Sequence, residues 1–347
     1  MTPKPEMTPE TLTAFRRAEK TYMARDPPPS LAAVADLGRA AGDVPGARRL
    51  RLERDLCDPP PLPFRVFGQR RPPAYALDAH PGLVVIPAAL TAEAQRWLAR
   101  KCLCDCAQPP NRTNLDPFFA MPPAPLFELA GRAGPPPLVE SRLLAGSIDP
   151  GVTRPRDPFY ARPAAPSDLL RQLRWCTLGW QYNWRTKEYD LGAAPFDAEL
   201  GALMQSVAAA AAAAAGGPRF SSQAGIINYY DERASMAGHV DRTEADMDAP
   251  LVSLSVGLSC VYLIGGRTRD VEPTPLLLRS GDALVMCGES RLAFHGVPRV
   301  LPGSAPACLT DPEAGTGDAV ADRYPPWRQF AAYLAAHRIN CNARKCA

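Results

Sequence analysis

The chain has 347 residues and carries 39 Lys and Arg against 36 Asp and Glu, so its formal net charge is only +3. This near-neutral balance excludes a histone-like polycation, although it leaves room for a local basic groove. Because hydrophobic residues make up 46% of the chain, we expect a folded protein with a sizeable core rather than a disordered one.

Nothing in the sequence is typical of a membrane or secreted protein. Its longest apolar run, residues 207–215, is far shorter than the roughly 18 to 20 residues that span a bilayer. The first ten residues lack the apolar segment of a secretory signal, and three acidic residues interrupt any basic face that a mitochondrial presequence would need. We therefore expect no membrane association.

The ten cysteines are expected to be reduced thiols rather than disulfides, since no secretory signal accompanies them. Cys102, Cys104 and Cys106 form the only tight cluster, and no second pair lies at zinc-finger spacing from them. We expect these three thiols to lie on a helix or at its end.

Most of the 40 prolines lie before residue 167, so the first half should carry most of the irregular backbone. Within it the pattern predicts a short helix over 12–25 and a buried strand over 80–87. A second helix should follow to about residue 102, with Thr91 as its N-cap and Glu93 in its first turn. A strand with a hydrophobic face is predicted over 173–182.

The middle of the chain predicts one long helix that Asp197 caps and that runs through the alanines, ending at 216–218. After residue 220 the pattern changes to short strands. Residues 225–230 form one, and the alternation over 253–259 predicts a half-buried strand. Residues 275–279 and 283–287 flank a Ser-Gly-Asp turn and predict a hairpin.

Short strands separated by turns favour an antiparallel sandwich or barrel. We predict an α+β protein with a mainly β core, a double-stranded β-helix or jelly roll, with supporting helices and a Pro-rich N-terminal arm. The predicted division is an arm with a short helix over 1–75, a helical support region over 76–219 and a core over 220–347.

His239 and Asp241 lie two positions apart in the sequence, so on an extended segment an imidazole and a carboxylate lie on one face. His295 offers a third ligand. Two histidines and one carboxylate leave adjacent coordination positions open, which suits non-haem Fe(II) in oxygenases.

Two arginines, Arg338 and Arg344, lie six residues apart near the C-terminus. On a strand both would reach the same interior, where guanidinium groups bind carboxylates bidentately. Taken alone, the two arginines favour a basic tail on the surface over an interior anion site. Upstream, Asn228 and Tyr230 share one face of a predicted strand and are placed to donate hydrogen bonds to the same ligand.

Together these residues resemble the AlkB family of Fe(II)/2-oxoglutarate dioxygenases. The ordered motifs are Asn228-x-Tyr230, His239-x-Asp241, His295 and Arg338-x-Asn340-x-x-x-Arg344. Segments such as AGIINYY, GHVDR and SRLAFHGVPRVLP look most like the AlkB homologue 1 branch. The similarity runs from about residue 80 to the C-terminus. One departure is Asn342, where the family usually has Thr.

The resemblance implies a role for each of these residues. His239, Asp241 and His295 would hold iron, while Arg338 and Tyr230 would bind the distal carboxylate of 2-oxoglutarate. Asn228 and Arg344 would contact the co-substrate or steady Asp241, and Asn340 would be a further co-substrate contact. The implied reaction converts 2-oxoglutarate to succinate and CO2 and removes an N-methyl group from a base as formaldehyde.

The implied substrates are methylated DNA or RNA, with N6-methyladenine in DNA and methylated tRNA as the classes of this branch. An enzyme reaches the target base only if the strand is single or the nucleotide is flipped out of the duplex. The region 76–219 would recognise this nucleotide. Trp180, Tyr182 and Trp184 are candidates to stack on the base, although aromatic residues at this spacing also suit a core. We expect a monomer in the nucleus, with mitochondrion or cytoplasm as alternatives.

Two other functions fit parts of the same pattern. A 2-oxoglutarate-dependent protein demethylase or hydroxylase, acting on histones for example, would use the same iron and co-substrate ligands. A non-catalytic nucleic-acid-binding protein with this fold is a further alternative, against which the three converging metal ligands argue.

Overall fold

The computed structural model describes residues 12–38, 44–52, 55–58, 62–134, 137–148, 152–183, 186, 188–190, 194–214 and 220–347. Its α-helices in these ranges are α1 (Ala14–Met23), α2 (Ala92–Arg100), α3 (Leu126–Ala130), α4 (Pro166–Gln172), α5 (Ala198–Ala214), α6 (Ala307–Thr310) and α7 (Trp327–Leu334). A π-helical segment, Lys101–Cys106, extends α2, and short 3-10 helices span Pro158–Ala161, Gly288–Leu292 and Ala321–Arg323.

The strands in the same ranges are β1 (Ala47–Leu50), β2 (Ala74–Leu77), β3 (His80–Ile86), β4 (Trp175–Gly179), β5 (Gln181–Asn183), β6 (Glu188–Asp190), β7 (Ala224–Asp231), β8 (Met236–His239), β9 (Leu251–Gly257), β10 (Cys260–Ile264), β11 (Thr274–Leu278), β12 (Ala283–Met286), β13 (His295–Val300) and β14 (His337–Arg344).

The strands form a double-stranded β-helix. A large sheet has the order β1-β2-β3-β12-β9-β14-β7-β4, and a small sheet has the order β11-β10-β13-β8. Strands β7 to β14 therefore supply four strands to each sheet, and all of their recorded pairings are antiparallel. The predicted jelly roll with supporting helices is confirmed. Strands from before residue 220 extend both edges of the large sheet.

Buried hydrophobic residues form three clusters in this arrangement of sheets and helices. Helices α2, α5 and α7 pack on the outer face of the large sheet, with Trp97, Leu203 and Phe330 almost fully buried. A second cluster lies between the two sheets, and α1 covers the outer face of the small sheet through Phe15 and Tyr22. Among the residues that the structure describes, none of the helices combines the length and apolar character of a bilayer-spanning segment.

Several local predictions are confirmed. Helix α1 lies within 12–25, and the side chain of Thr91 accepts a hydrogen bond from the Ala94 N–H at 3.1 Å as the N-cap of α2. Asp197 caps α5 by accepting from the Leu200 N–H at 2.9 Å. The predicted helix stop at 216–218 lies outside the described residues. The cysteine cluster follows the end of α2, as expected.

Two strand predictions need correction. The strand predicted over 173–182 is interrupted after Gly179, and the chain continues into β5, which pairs with β6 in a separate two-stranded sheet. Strand β9 is buried on both faces rather than half-buried. Val252 and Val256 pack toward the helices while Ser253 lines the interior of the jelly roll, because both sides of the large sheet are covered.

The predicted hairpin between β11 and β12 is also wrong. Strand β11 pairs with β10 in the small sheet, whereas β12 pairs with β3 and β9 in the large sheet. The Ser-Gly-Asp turn therefore carries the chain from one sheet to the other. Gly281 has φ +85°, and the Asp282 carboxylate accepts N–H bonds from Ala88 at 2.9 Å and Arg279 at 2.7 Å, which fixes the corner.

Candidate metal and co-substrate site

Two histidines and an aspartate meet where β8 and β13 lie side by side. His239 ends β8, His295 begins β13, and the two residues face each other in the strand pairing. Asp241 follows two residues after His239. One ligand atom from each side chain lies within 4.8 Å of the others, and each histidine Nε2 is 3.9 Å from a carboxylate oxygen of Asp241.

The two imidazoles are oriented by their own strands. Nδ1 of His239 lies 2.9 Å from the Ala237 carbonyl and Nδ1 of His295 lies 3.1 Å from the Ala293 carbonyl. Because a carbonyl only accepts, each Nδ1 carries the proton in a neutral ring and each Nε2 presents its lone pair. Burial, together with the nearby His239, lowers the pKa of His295 to about 4, so this ring is neutral at pH 7.

Asp241 is held ionised by cations. Burial would raise the pKa of its carboxyl, but Arg344 is the largest of the opposing influences, and the pKa lies well below its usual value. Nη2 of Arg344 is 3.2 Å from the Asp241 carboxylate, and Nη1 of Arg291 donates to the Asp241 backbone carbonyl at 2.5 Å.

A buried carboxylate that the sequence did not reveal connects these two arginines. The Glu244 side chain has no exposed surface and accepts hydrogen bonds from Arg291 and Arg344, both at 2.9 Å. Tyr189 on β6 donates a further bond to it at 2.8 Å. Although Glu244 follows Asp241 closely, its arginine partners lie 47 and 100 residues away in sequence, so no local pattern could have indicated the contact.

The three side chains fit a divalent iron. Two neutral imidazole nitrogens and one carboxylate are the donor set that non-haem Fe(II) oxygenases use. In the described part of the chain no other group of three or more His, Cys, Asp or Glu side chains brings its ligand atoms so close together. Cys102, Cys104 and Cys106 form no such group there.

A cavity of about 360 Å³ opens between the two sheets beside these ligands. It is lined by His239, Asp241, His295, Asn228, Tyr230, Arg338, Asn340, Asn342, Arg344 and apolar side chains such as Leu284 and Met286. The structure therefore brings the predicted metal ligands and the predicted co-substrate contacts into one space.

Arg338 is a buried cation facing this cavity, with only 1% of its surface exposed. Its guanidinium donates to the Ser255 hydroxyl at 2.7 Å and the Leu258 carbonyl at 3.2 Å, while Nε has no partner. Across the described residues, no carboxylate lies within 4 Å of it. Because a desolvated charge needs compensation, the site is suited to an anionic ligand. The surface-tail interpretation of Arg338 and Arg344 is wrong, since both lie on β14 and are buried.

The register of β7 and β14 places the other predicted contacts around Arg338. Tyr230 lies opposite Arg338 and Asn228 lies opposite Asn340. The Asn340 amide donates to the Ser253 hydroxyl at 2.7 Å. Asn342, where the family usually has Thr, accepts a hydrogen bond from Nη2 of Arg344 at 2.8 Å, so this residue orients the second arginine.

Two of the predicted stacking residues, Trp180 and Tyr182, do not line the cavity. Trp180 is in the turn between β4 and β5 and is partly exposed. Tyr182 on β5 lies opposite Tyr189, with ring centroids 5.1 Å apart. Through Tyr189 it adjoins the Glu244 network at the side of Asp241. Trp184 lies outside the described residues.

Comparison with known proteins decides the family. The model of the 2OG-Fe(II) oxygenase superfamily matches residues 143–344. This chain belongs to that superfamily. It is 35% identical over 282 residues to mouse (Mus musculus) "Nucleic acid dioxygenase ALKBH1", covering 78% of this chain and 66% of the relative. It is 30% identical to Schizosaccharomyces pombe "tRNA demethylase abh1", covering 97% of this chain and 96% of the relative.

A third relative is Arabidopsis thaliana "DNA N(6)-methyladenine demethylase ALKBH1A", which is 33% identical over 81% of this chain and 80% of its own length. These relatives place the chain in the AlkB homologue 1 group. The protein is therefore a dioxygenase that depends on Fe(II) and 2-oxoglutarate.

Helix α1 of this dioxygenase lies outside the matched range and yet contacts the strand that bears His239. Glu19 is 2% exposed, and its carboxylate accepts a hydrogen bond from the Gly238 N–H. The ring of Phe15 lies against Gly238, where an added Cβ would come within 2.3 Å of it. Arg269 donates to the Gly238 carbonyl at 2.6 Å. The residue before the metal ligand is therefore held on both its N–H and its C=O.

Proposed function

We propose that this dioxygenase removes methyl groups from N-methylated bases of nucleic acids, with N6-methyladenine in DNA and methylated tRNA as its substrate classes. The observation that carries the proposal is one cavity that holds the His-Asp-His group and an uncompensated buried arginine. It occurs in a chain whose relatives are named as demethylases of tRNA and DNA.

In this proposal His239, Asp241 and His295 hold the iron, which with O2 and 2-oxoglutarate supplies the oxidising chemistry. Arg338 binds the distal carboxylate of 2-oxoglutarate, and Tyr230 donates a hydrogen bond to the same group. Asn228 and Asn340 line the path between this anchor and the metal ligands. Overall, 2-oxoglutarate, O2 and the N-methyl base give succinate, CO2, formaldehyde and the unmethylated base.

The residues around the ligands keep their geometry fixed. Arg344 and Arg291 neutralise Asp241 and Glu244, so Asp241 remains an anion in a largely buried position. Apolar side chains that line the cavity, such as Leu284 and Met286, would exclude water from the bound co-substrate. Preorganised charges of this kind lose little energy to rearrangement during the reaction.

The substrate base has to leave its stack to reach the cavity, so we propose a single-stranded or flipped nucleotide as the bound form. Trp180 and Tyr182 are partly exposed, and Tyr182 packs against the Tyr189 ring that binds Glu244, which supports a stacking role for these residues. We also propose that the protein acts as a monomer and works in the nucleus, to be checked by sedimentation and by cell fractionation.

Demethylation itself is tested with a panel of methylated DNA and RNA oligonucleotides incubated with Fe(II), ascorbate and 2-oxoglutarate. Mass spectrometry of the bases and assays of formaldehyde and succinate report turnover. We expect equimolar loss of methyl groups and release of both products, all absent in His239→Ala. Turnover of methylated histone peptides with no turnover of any oligonucleotide would overturn the proposal.

A further inference from the structure

One exposed surface of the N-terminal region is unusually rich in arginine. We name it the arginine surface and define it as Arg49, Arg51, Arg65, Arg70 and Arg71, all of which are exposed. Residues 44–72 contain seven arginines, no lysine and three acidic residues, so their net charge is 7 − 3 = +4. Since the whole chain carries +3, the remainder of the chain carries 3 − 4 = −1.

The arginine surface frames two hollows. Arg49, Arg51 and Arg71 line one of about 310 Å³, and Arg65 and Arg70 line another of about 640 Å³. The hollows are neighbours, because the Leu56 N–H in the second donates to the carbonyl of Arg70 at 2.8 Å and Arg71 follows directly in the first.

Four of the five cations of this surface have no carboxylate partner within the described residues; the fifth, Arg71, pairs with Asp55. The guanidinium groups of Arg49, Arg51 and Arg70 have neither a hydrogen bond nor an ion pair there, and that of Arg65 contacts only backbone carbonyls.

The acidic groups nearby are already engaged. Asp55 pairs with Arg71 at 2.5 Å. The same Asp58 oxygen accepts N–H bonds from Val66 at 2.8 Å and Phe67 at 3.1 Å. An anionic partner would therefore meet a surface of positive charge.

We propose that the arginine surface binds the phosphate backbone of the substrate nucleic acid, outside the catalytic cavity. The inference rests on the proposed function, which makes a nucleic acid the partner. Every cation in the segment is arginine, whose planar group binds phosphate bidentately and stays charged at any physiological pH.

The distance between the arginine surface and the catalytic cavity determines how long a nucleic acid must be to contact both. It adjoins β1, the edge strand of the large sheet, while Arg344 beside the metal ligands lies on β14, five strands away. At about 4.8 Å between neighbouring strands, the separation is roughly 24 Å. With about 3.4 Å of axis per nucleotide, a trinucleotide in the cavity cannot reach this surface, whereas a 30-mer can.

Exposed charges on an edge strand also have a purely structural use, since they prevent pairing with another chain. Charge reversal separates the two roles. Glutamate at positions 49 and 51 still blocks edge pairing, but it repels phosphate.

The test uses the full-length Arg49→Glu/Arg51→Glu double variant. Binding of a single-stranded 30-mer carrying one methylated base is measured by fluorescence anisotropy between 50 and 200 mM salt. We expect the Kd to rise about tenfold and the slope of log Kd against log salt to fall by about 1.4, because two phosphate contacts are lost at about 0.7 each. The kcat and KM for a methylated trinucleotide should remain at the wild-type values.

Arg132→Glu serves as the matched control, since Arg132 is exposed in another region of the chain. It should change neither the Kd nor the salt slope. If the Arg49→Glu/Arg51→Glu variant binds the 30-mer with a Kd within twofold of wild type and an unchanged salt slope, the proposal that the arginine surface binds nucleic acid is overturned. Because anisotropy needs no turnover, this outcome is distinct from failure of the proposed function, which would show as binding without demethylation of either substrate.

Discussion

At the scale of single residues, the site is built from buried charge. Arg291, Arg338 and Arg344 are each at most 3% exposed, and removing a guanidinium from water costs several kcal/mol unless a partner compensates it. Glu244 and Asp241 compensate two of the three. The third, Arg338, faces the cavity, where the proposed 2-oxoglutarate would compensate its charge.

The variant Arg338→Gln should therefore weaken co-substrate binding selectively. Loss of a charge-assisted pair of about 2 kcal/mol corresponds to a roughly 30-fold rise in the KM for 2-oxoglutarate. Metal affinity should be unchanged, because Arg338 contacts none of the three metal ligands in the structure. Steady-state kinetics with varied 2-oxoglutarate measures the effect, with the exposed Arg233→Gln as control. An unchanged KM would show that Arg338 is not the anchor.

Glu244→Gln tests the charge network behind Asp241. The change leaves two buried arginines without their shared carboxylate, so we expect the free energy of unfolding in urea to fall by about 3 kcal/mol. Tyr189→Phe keeps the carboxylate charge; it removes the hydrogen bond to Glu244 and the long bond that Tyr189 accepts from Arg344 at 3.4 Å, and it should cost about 1 kcal/mol. Equal losses from the two variants would contradict a structural role for the carboxylate charge.

The residues with a short sequence spacing could be predicted, and those joined only by the fold could not. His239 and Asp241 lie two apart and Arg338 and Arg344 six apart, so strand periodicity alone places each pair on one face. Arg291 carries no such signal, because its contact with Glu244 exists only once β13 and β8 are paired.

At the scale of elements, the metal-bearing strand β8 is the point that most needs support. It has four residues and lies at the edge of the small sheet, so among the described residues one side of it has no neighbouring strand. Helix α1 takes the place of that neighbour, with Glu19 as the acceptor for the Gly238 N–H.

Glu19→Ala should therefore weaken metal binding from outside the site. It leaves a buried N–H without an acceptor, a cost of about 1–3 kcal/mol, and we expect the Kd for Mn(II) to rise about fivefold or more. Arg16→Gln is the matched control, since it removes the ion-pair partner of Glu19 but keeps the bond to Gly238. Electron paramagnetic resonance of free Mn(II) measures both. Equal Kd values for Glu19→Ala and the wild type would contradict the support role.

Helix predictions succeeded where caps and amphipathic spacing act locally, as for α1 and for Thr91 at the start of α2. The pairing of strands was harder to predict from the sequence. The Ser-Gly-Asp turn is typical of a hairpin, but whether β12 returns to β11 or crosses to β9 depends on contacts with strands far away in sequence. The residues of the turn alone do not determine which strand β12 pairs with.

At the scale of the whole molecule, we expect the core of the jelly roll to form without the metal. Helices cover the outer face of the large sheet, α1 covers the small sheet, and a separate apolar cluster fills the space between them. The sequence alternation in β9 did not predict that both faces of this strand are buried. A sequence shows which residues share a face of a strand, but not whether another layer covers that face.

Removal of the metal should therefore abolish activity without unfolding the protein. After dialysis against EDTA we expect an unchanged far-ultraviolet circular dichroism spectrum and a Tm lower by only a few degrees, since a bound ion at 100 times its Kd contributes about 2.7 kcal/mol. Addition of Fe(II) should restore turnover. Loss of the β-sheet spectrum on chelation would show that the core needs the ion.

The most direct measurement is the stoichiometry of Mn(II) binding, followed by electron paramagnetic resonance, for the wild type, His239→Ala, Asp241→Ala and His80→Gln. His80 is the control because it is buried and bonds to Thr274 at 2.8 Å, and none of the three candidate ligands is its hydrogen-bond partner. We predict one tightly bound ion per chain in the wild type and in His80→Gln, and none at the same concentration in the other two variants. An undiminished tight site in His239→Ala and Asp241→Ala would contradict the assignment of the metal centre.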